Sequence, residues 1–379
     1  MYARVIVLYI VIIIAACTSG KKAYQRGNYD EATLKAVNRL RGNPKNSKAR
    51  ETLYNAYNQS IIWRQNNISS LKQSVDDFRW EGIADNYSLM NFLYDQIKTC
   101  PACIEVVPNP IRFTTELDEA RLKAAENRYE TGKKMMANKW DRNISKEAFG
   151  HFSTANKYFP GFKDVRFWMD ESLYYATLKV VVEKIPLPSG SLAVSSEFFE
   201  NKIQEFLRQL QINEFVKFYT VEEARVNGIK EADHILQLRF DEFVVGNTHI
   251  KDQEVEVSKD SVIVGNVLVR GVKTNVYNTV KAKVRTYNKA VISTGILDFR
   301  VVDPRTKAVL TQEKLPGSFT WVSQWGSFNG DERALTDDQK KYCNLREVAP
   351  PLPQDLFIAF TQPIYGQITS KINHYYRRF

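Results

Sequence analysis

The sequence predicts a helical domain followed by an α/β domain whose sheet is mixed and largely antiparallel. In the first half, alanines and aromatic residues recur three or four positions apart, as on one face of a helix. In the second half, apolar and polar residues alternate, as in strands with one buried face. The 379 residues suffice for two domains. A hydrophobic fraction of 44% with 25% charged residues excludes a disordered chain and a polytopic membrane protein.

Residues 1–16 have the layout of a secretory signal, in which Arg4 precedes an apolar run over Val5–Ile14. The run is shorter than the roughly 20 residues of a comfortable membrane-spanning helix. The segment Ile14–Cys17 resembles the bacterial lipobox. That resemblance implies cleavage before Cys17 and acylation of this cysteine, with palmitate among the chains attached. The alternative is a plain membrane anchor with an incidental cysteine.

The lipoprotein resemblance also implies a location. No aspartate follows Cys17, so the common inner-membrane retention signal is absent, and no acidic cluster follows that would direct export to the cell surface. We therefore expect a protein of the outer membrane, lipid-anchored and facing the periplasm. Two or three acyl chains give stable anchoring, because each buried CH₂ group contributes ~0.8 kcal/mol.

Near its start, the mature sequence has the pattern of a helical hairpin. Tyr24 and Tyr29 flank a predicted turn at Gly27. Ala32 is small enough for two helices to approach closely, and Pro44 cannot continue a helix. The spacing of these five residues resembles a tetratricopeptide repeat, which implies paired helices that offer a groove to a partner.

A second match to the repeat lies about a hundred residues later. Ala148, Phe152 and Ala155 share one helical face, and Pro160 follows them. The turn before this match is longer than the family normally has, and the helices between the two matches lack the repeat spacing. An irregular helical bundle with repeat-like corners is the alternative.

Cys100 and Cys103 form a Cys-x-x-Cys pair, which is typical of a redox site, half of a zinc site or a tight disulfide. Haem attachment needs a histidine where this chain has Ile104, and zinc needs a second ligand pair that is absent from the sequence. A thioredoxin-like pair lies between a strand and a helix, whereas this one follows a helix and precedes a loop. We expect a structural disulfide in the oxidising periplasm, which leaves Cys343 without a partner.

The best domain boundary by composition is the Pro- and Ser-containing segment 186–191. It divides a helical domain over residues 17–185, whose last helix is predicted to run as far as Val181, from an α/β domain over residues 191–379. In that second domain, Pro363 is expected to kink or delay the last helix.

Period and capping signals predict the elements of the second domain. In order, they are a helix capped by Ser195 or Ser196, a strand over Phe215–Tyr219, a short helix with a Thr220–Glu223 capping box, strands over Ala232–Asp241, Val276–Tyr287, Val291–Val301 and Ala308–Leu315, a strand at Phe319 and Trp321, and a terminal helix over Leu356–Ile372. The long strands are joined as hairpins, which makes the sheet largely antiparallel.

This element order resembles the periplasmic domain of the curli-secretion-channel family, a fold shared by lipoprotein activators of penicillin-binding proteins. Ala232–Leu236 and Leu297–Asp303 carry the resemblance. Channel members add membrane-spanning hairpins, but the candidate hairpin Asp252–Lys273 carries many charges, so a solvent-facing hairpin that reaches a partner is expected instead. Ser261, between Asp260 and Val262, resembles a periplasmic O-glycosylation acceptor; a hairpin turn is the alternative interpretation.

The sequence offers little chemistry for catalysis. It has none of the metalloprotease, serine-hydrolase or nucleotide-binding motifs, and its four histidines lack metal-ligand spacing. We therefore expect no catalytic residues, no metal, no cofactor and no small-molecule substrate. The net charge of +10 is spread along the chain, so nucleic acid is not an expected partner. The predicted function is a non-enzymatic adaptor that binds other envelope proteins; the alternatives are a curli-type channel subunit, an activator of a peptidoglycan-synthesising enzyme, or an enzyme with sparse site residues.

Overall fold

The computed structural model describes residues 20–186, 192–210 and 212–379. The chain divides into two compact units between Ala176 and Thr177. The signal segment 1–16 and Cys17 lie outside the described residues, so the predictions made for them stay predictions.

The first unit is an array of helices in which each packs against the next. The helices are α1 (Gly20–Gln25), α2 (Tyr29–Gly42), α3 (Ser47–Gln73), α4 (Arg79–Lys98), α5 (Pro101–Ile104), α6 (Thr114–Met135), α7 (Arg142–Tyr158) and α8 (Val165–Ala176), with a 3₁₀ turn at Met136–Asn138. In sequence order, α1 packs on α2, α2 on α3, α3 on α4, α4 on α6, α6 on α7 and α7 on α8. Such packing buries one stripe of each helix against its neighbours.

Local signals explain where these helices begin and end. Gly27 has φ +80°, a conformation that favours glycine, and it separates α1 from α2. Pro44 lies in the turn after α2, and the Asn46 side chain starts α3 by accepting a hydrogen bond from the Ala49 amide at 2.9 Å. Asp141 caps α7 in the same way.

The second unit has a five-stranded sheet with helices on it. Its elements are β1 (Leu178–Val182), α9 (Ala193–Gln209), β2 (Val216–Thr220), α10 (Val221–Val226), β3 (His234–Val269), β4 (Val272–Val302), β5 (Val309–Gly330), a 3₁₀ turn at Glu332–Ala334, α11 (Asp337–Asn344) and α12 (Pro353–Tyr376). The strand order is β2-β1-β3-β4-β5. The pairs β1–β2 and β1–β3 are parallel, and the long pairs β3–β4 and β4–β5 are antiparallel, so the sheet is mixed.

The core of this unit lies between the sheet, α9 and α12. Its fully buried side chains include Leu236, Leu297, Val301, Phe357, Phe360, Ile364, Ile368 and Ile372. Gly295 and Gly317 are register partners on β4 and β5. A Cβ at Gly317 would lie 2.4 Å from the Phe360 carbonyl oxygen, so the two glycines let α12 rest directly on the strands.

The prediction that the last helix of the first domain extends to Val181 is wrong. Leu178–Val182 is strand β1, which pairs in parallel with both β2 and β3. Val180, Val181 and Val182 are β-branched and favour an extended backbone. The structural division therefore precedes β1, whereas the compositional boundary at 186–191 follows it.

Two predicted helix features of the second unit are also corrected. Ser195 and Ser196 do not cap α9; the helix starts at Ala193, and both serines are buried on its inner face. Pro363 does not delay α12, which runs through it. Phe360 and Ile364 are fully buried on either side of the proline, and this packing offsets the lost backbone hydrogen bond.

The predicted hairpin over Asp252–Lys273 is a much longer one. β3 continues to Val269, the chain turns at Arg270 and Gly271, and β4 returns from Val272. Both turn residues have positive φ, as the tight turns that match strand twist require. The two strands predicted after residue 308 likewise form one continuous strand, β5.

Candidate functional site

The most distinctive surface of the second unit is the outer part of the β3–β4 hairpin, residues 247–291, which we call the hairpin arm. Its base is marked by Gly246, where an added Cβ would lie 3.7 Å from Leu356 at the start of α12. Beyond that point most β3 residues are exposed, and β3 pairs with β4 alone among the described strands. The arm therefore extends past the core that α9 and α12 cover.

One face of the arm is a ladder of opposite charges. Its β3 side carries Asp252, Glu254 and Glu256, and its β4 side carries Lys281, Lys283 and Arg285. Glu254 and Glu256 are the register partners of Arg285 and Lys283, whereas Asp252 is a diagonal neighbour of Arg285, and Glu256 is a diagonal neighbour of Lys281. Arg285 Nε donates to Asp252 Oδ2 at 2.8 Å, and Lys281 Nζ lies 3.6 Å from Glu256 Oε1. The hydrogen bond to Asp252 raises the pKa of Arg285. Exposed pairs of this kind contribute little stability, but they fix the register of the two strands.

The opposite face of the arm is apolar and covered near its middle. Val280, Ala282 and Val284 are buried against Ala334 and Leu335 from the segment after β5. β5 pairs with β4 as far out as Ala282, so the arm is three-stranded near its base and two-stranded only from Val280 outward. This small second core stiffens the arm where the third strand ends, beyond which a two-stranded ribbon would be marginal by itself.

Arg333 links the segment after β5, residues 331–335, which we call the cover segment, to the arm. Its Nη1 donates to the backbone oxygen of Ile263 at 2.6 Å. The same guanidinium holds the pKa of Asp331 at about 2. The ion pair orients Arg333 toward β3, so the cover segment and the arm are held together outside the main core.

The tip of the arm, residues 262–277, is apolar and exposed. Its exposed apolar side chains are Ile263, Val264, Val267, Leu268, Val269, Val272 and Tyr277. Leu268 is 75% exposed and Val272 is 67% exposed. An exposed cluster of this size marks a contact site for another molecule more often than an isolated exposed side chain does. Sequence reasoning missed it, although the runs Val262–Val264 and Val267–Val269 on both sides of the turn were a usable signal.

Ser261 lies within the arm, next to the tip. It has φ +58°, and the pairing of β3 with β4 shifts between Lys259 and Val262. Ser261 is therefore part of a β-bulge, and the alternative interpretation as a hairpin turn is wrong. Bulges protect a free strand edge from unwanted pairing.

The structure places the predicted repeat residues at helix contacts in the first unit. Ala32, Ala148, Phe152 and Ala155 are fully buried. A Cβ at Gly132 would lie 2.8 Å from the ring of Phe152, which shows how closely α6 and α7 approach. The remaining predicted residues lie at turns or beside them: Tyr24 and Tyr29 flank Gly27 with ring centroids 5.5 Å apart, Pro44 follows α2, and Pro160 follows α7.

Cys100 and Cys103 are joined by a disulfide at the start of α5. Their exposed fractions are 1% and 0%, and they belong to the apolar cluster of the first unit. Buried sulfurs of this kind are inaccessible to a redox partner, so the bond's place in the fold is structural. Cys343 on α11 is a free cysteine, and burial raises the pKa of its thiol.

Within residues 20–186, 192–210 and 212–379, no group of three or more His, Cys, Asp or Glu side chains is arranged to hold a metal ion. The described helices also include none with the length and apolar character needed to cross a bilayer. His151 lies beside Arg128, and burial, followed by this neighbouring charge, lowers its pKa.

Comparison with known proteins identifies no family. No family model matches the chain, and no curated protein matches it. Among solved structures, it is similar to a neuraminyllactose-binding hemagglutinin homologue from Helicobacter pylori at 12% identity and a TM-score of 0.26. That similarity covers 53% of this chain and 90% of the other. At these values the similarity supports no inference about fold or binding, and function has to be argued from the chain's own surfaces.

Proposed function

We propose that this protein is a non-enzymatic adaptor of a cell-envelope assembly, tethered to the periplasmic face of the outer membrane by lipid on Cys17. The observation that carries the proposal is the hairpin arm with its exposed apolar tip. A projection with an exposed apolar end suits docking on another protein.

The first unit supports the proposal through its helix packing. Small residues at the contacts, Ala32, Gly132 and Ala148, let successive helices approach closely, as in a tetratricopeptide array. Stacked helices of that type offer an extended surface to a peptide or a partner helix. We therefore assign the first unit a second docking function, separate from that of the arm.

The tip variant Leu268→Ser/Val272→Ser tests the proposal. Full-length wild type and variant are extracted gently in detergent, and the co-purifying envelope proteins are compared. We expect a reproducible partner set with wild type and the loss of one or more members with the tip variant. Val309→Ser/Leu310→Ser is the matched control, since these residues are also apolar and 50% and 43% exposed but lie at the other end of the sheet. An identical partner set for all three proteins would overturn the role of the arm.

Lipid attachment is tested separately. Metabolic labelling with palmitate should label the wild-type chain and not the Cys17→Ala variant, which should be released from the membrane fraction. Equal label in both proteins, or none in either, would refute the tether.

The arm also favours a second candidate, a subunit of a curli-type secretion channel. Against it, the apolar tip is shorter on each strand than the roughly 9–11 residues that a membrane-spanning strand needs. The charge ladder occupies the rest of the arm's open face. A ring oligomer with conductance in planar bilayers would favour the channel, and a monomer without conductance would favour the adaptor.

A further inference from the structure

The second unit contains a cavity of about 480 Å³ at the carboxyl ends of β1 and β2. These two strands are parallel, and the segments that follow them, Glu183–Ile185 and Val221–Glu223, form part of its wall. In open α/β sheets, ligands bind in the crevice outside the carboxyl ends of parallel strands. The cavity walls are mostly apolar, with Ile203 and Leu207 from α9 on one side and Phe218 from β2 on the other.

The cavity contains a carboxylate that has no ion-pair partner among the residues the structure describes. Glu200 on α9 lines the cavity and is 8% exposed. Its one described hydrogen bond is a long one, from Gln204 Nε2 to Oε1 at 3.4 Å. Within the part of the chain that the structure describes, no Lys, Arg or His nitrogen lies within 4.0 Å of it. A buried carboxylate is costly unless a cation or several donors compensate it.

The other acids at the rim are already paired. Glu183 accepts from Gln237 at 3.1 Å and from Arg239 at 3.0 Å. Glu223 accepts from the Thr220 amide at 2.8 Å, within the capping box that starts α10. Glu222, also in the lining, accepts from Arg225 Nη2 at 2.6 Å. Among the lining acids, Glu200 is therefore distinct in having no strong donor within the described residues.

Two cations also line the cavity. Arg208 donates to Glu223 at 3.2 Å and is held there, so it does not serve Glu200. Lys184 follows β1 in the lining and forms no ion pair with Glu200 within the described part of the chain. The site thus combines mostly apolar walls with one carboxylate, that of Glu200, that has no ion pair among the described residues.

We propose that this cavity binds a primary ammonium group on an apolar stem, with the ammonium on Glu200 and the stem between Leu207 and Phe218. The ammonium supplies up to three donors to the carboxylate, and the stem excludes water from the apolar walls. A free alkylamine and the lysine side chain of a peptide share this chemistry. The inference is independent of the adaptor proposal, because it uses no residue of the hairpin arm or of the first unit.

The test uses full-length protein in detergent and isothermal titration calorimetry with hexylamine and 1-hexanol, which differ in the charged group. We expect hexylamine to bind wild type at least about tenfold more tightly than 1-hexanol, because the ammonium group forms a charge-assisted hydrogen bond with the Glu200 carboxylate. Glu200→Gln should remove that difference and keep the native melting temperature or raise it. Glu205→Gln, an exposed glutamate on the same helix, is the matched control and should bind like wild type.

Two further probes separate the possible sources. The first probe is Nα-acetyl-lysine amide, whose side-chain ammonium is free; its binding with the same dependence on Glu200 would assign the site to a partner's lysine. Binding of hexylamine without binding of this lysine derivative would assign the site to a free amine. Equal affinity of hexylamine and 1-hexanol for wild type, or full hexylamine binding by Glu200→Gln, would overturn the proposal. So would the absence of any binding, which is the result expected if Lys184 turns inward to neutralise Glu200.

Discussion

Individual buried polar residues in this protein connect neighbouring elements. Asp30 on α2 accepts hydrogen bonds from Ser60 and Arg64 of α3, and Arg64 Nη1 donates to Asn86 Oδ1 on α4 at 2.9 Å. Because an unpaired charge in such a place would be costly, the network specifies how three successive helices align.

Tyr376 breaks that pattern, since its hydroxyl is fully buried and has no hydrogen-bond partner among the described residues. Burial raises the pKa of its phenol. We predict that Tyr376→Phe leaves the free energy of unfolding unchanged or raises it by up to about 1 kcal/mol, because an unsatisfied group is removed without loss of ring packing. Urea unfolding measures this change.

Ser293→Ala is the control for that prediction. Ser293 is also fully buried, but its oxygen accepts from the Gly246 amide at 3.1 Å. Its loss leaves a buried N–H without a partner and should cost about 1–3 kcal/mol. A comparable loss from Tyr376→Phe would show that the Tyr376 hydroxyl does have a partner.

Asp298 provides a pH-dependent contribution to stability. It is 3% exposed, and burial alone would raise its pKa. Gln312 Nε2 at 2.9 Å, Lys314 Nζ at 3.2 Å and Arg300 more than offset burial and hold the pKa of Asp298 below its usual range. A depressed folded-state pKa gives stability that is present above the unfolded value of roughly 4 and is lost as the pH falls.

Accordingly, Asp298→Asn should reduce the free energy of unfolding at pH 7 by about 1.5–3 kcal/mol, the usual contribution of hydrogen bonds to a charged group. The difference from wild type should shrink as the pH falls through the lowered folded-state pKa of Asp298 and the carboxylate becomes protonated. Urea unfolding at several pH values checks both parts. A difference that stays constant with pH would mean that the substitution disturbs packing rather than charge pairing.

At the scale of elements, the approach of α12 to the sheet depends on glycine. We predict that Gly317→Ala lowers the free energy of unfolding by about 1–3 kcal/mol, because the added methyl group would meet the Phe360 backbone and Ile364. Gly366→Ala, on α12 with open space around it, should instead raise stability by about 0.5–1 kcal/mol. Thermal unfolding of both variants measures these changes in stability. An equal change in stability for Gly317→Ala and Gly366→Ala would contradict the close contact of α12 with β5.

Elements with a strong local signal could be predicted from the sequence. The i+4 stripe from Leu356 to Ile372 gave α12, and Thr220 with Glu223 gave the capping box of α10. What could not be predicted was set by contacts distant in sequence. Pro363 lies inside α12 because Phe360 and Ile364, before and after it in the helix, are buried against the sheet. The length of β3 depends on pairing with residues as far away as Val302.

At the scale of the whole molecule, one candidate site has a signal in the sequence and the other depends on contacts distant in sequence. The apolar runs around Arg270 are visible in the sequence once the turn is placed there. The Glu200 site cannot be recognised from the sequence, because the cavity that this residue lines is formed by β1, β2 and α9 together. A glutamate in an amphipathic helix otherwise indicates a solvated position.

At the scale of the whole molecule, strand β1 determines where the chain can be divided into two folding units. Strand β1 lies between β2 and β3, and its side chains Leu178, Val180 and Val182 are buried in the second unit. Burying each contributes about 1.5–3 kcal/mol, so together they approach the whole stability of a domain, about 5–15 kcal/mol. Composition alone, by contrast, places the boundary after this strand.

We therefore expect the fragment 177–379 to unfold cooperatively with native-like circular dichroism, and the fragment 191–379, which starts at the compositional boundary, to lack a cooperative transition. The fragments 1–176 and 1–185 are the matched pair: adding residues 177–185 to the first unit should leave its melting temperature unchanged, because β1 has its partners in β2 and β3. Cooperative folding of 191–379 with the stability of 177–379 would show that β1 is dispensable and that the sheet closes without its central parallel strand.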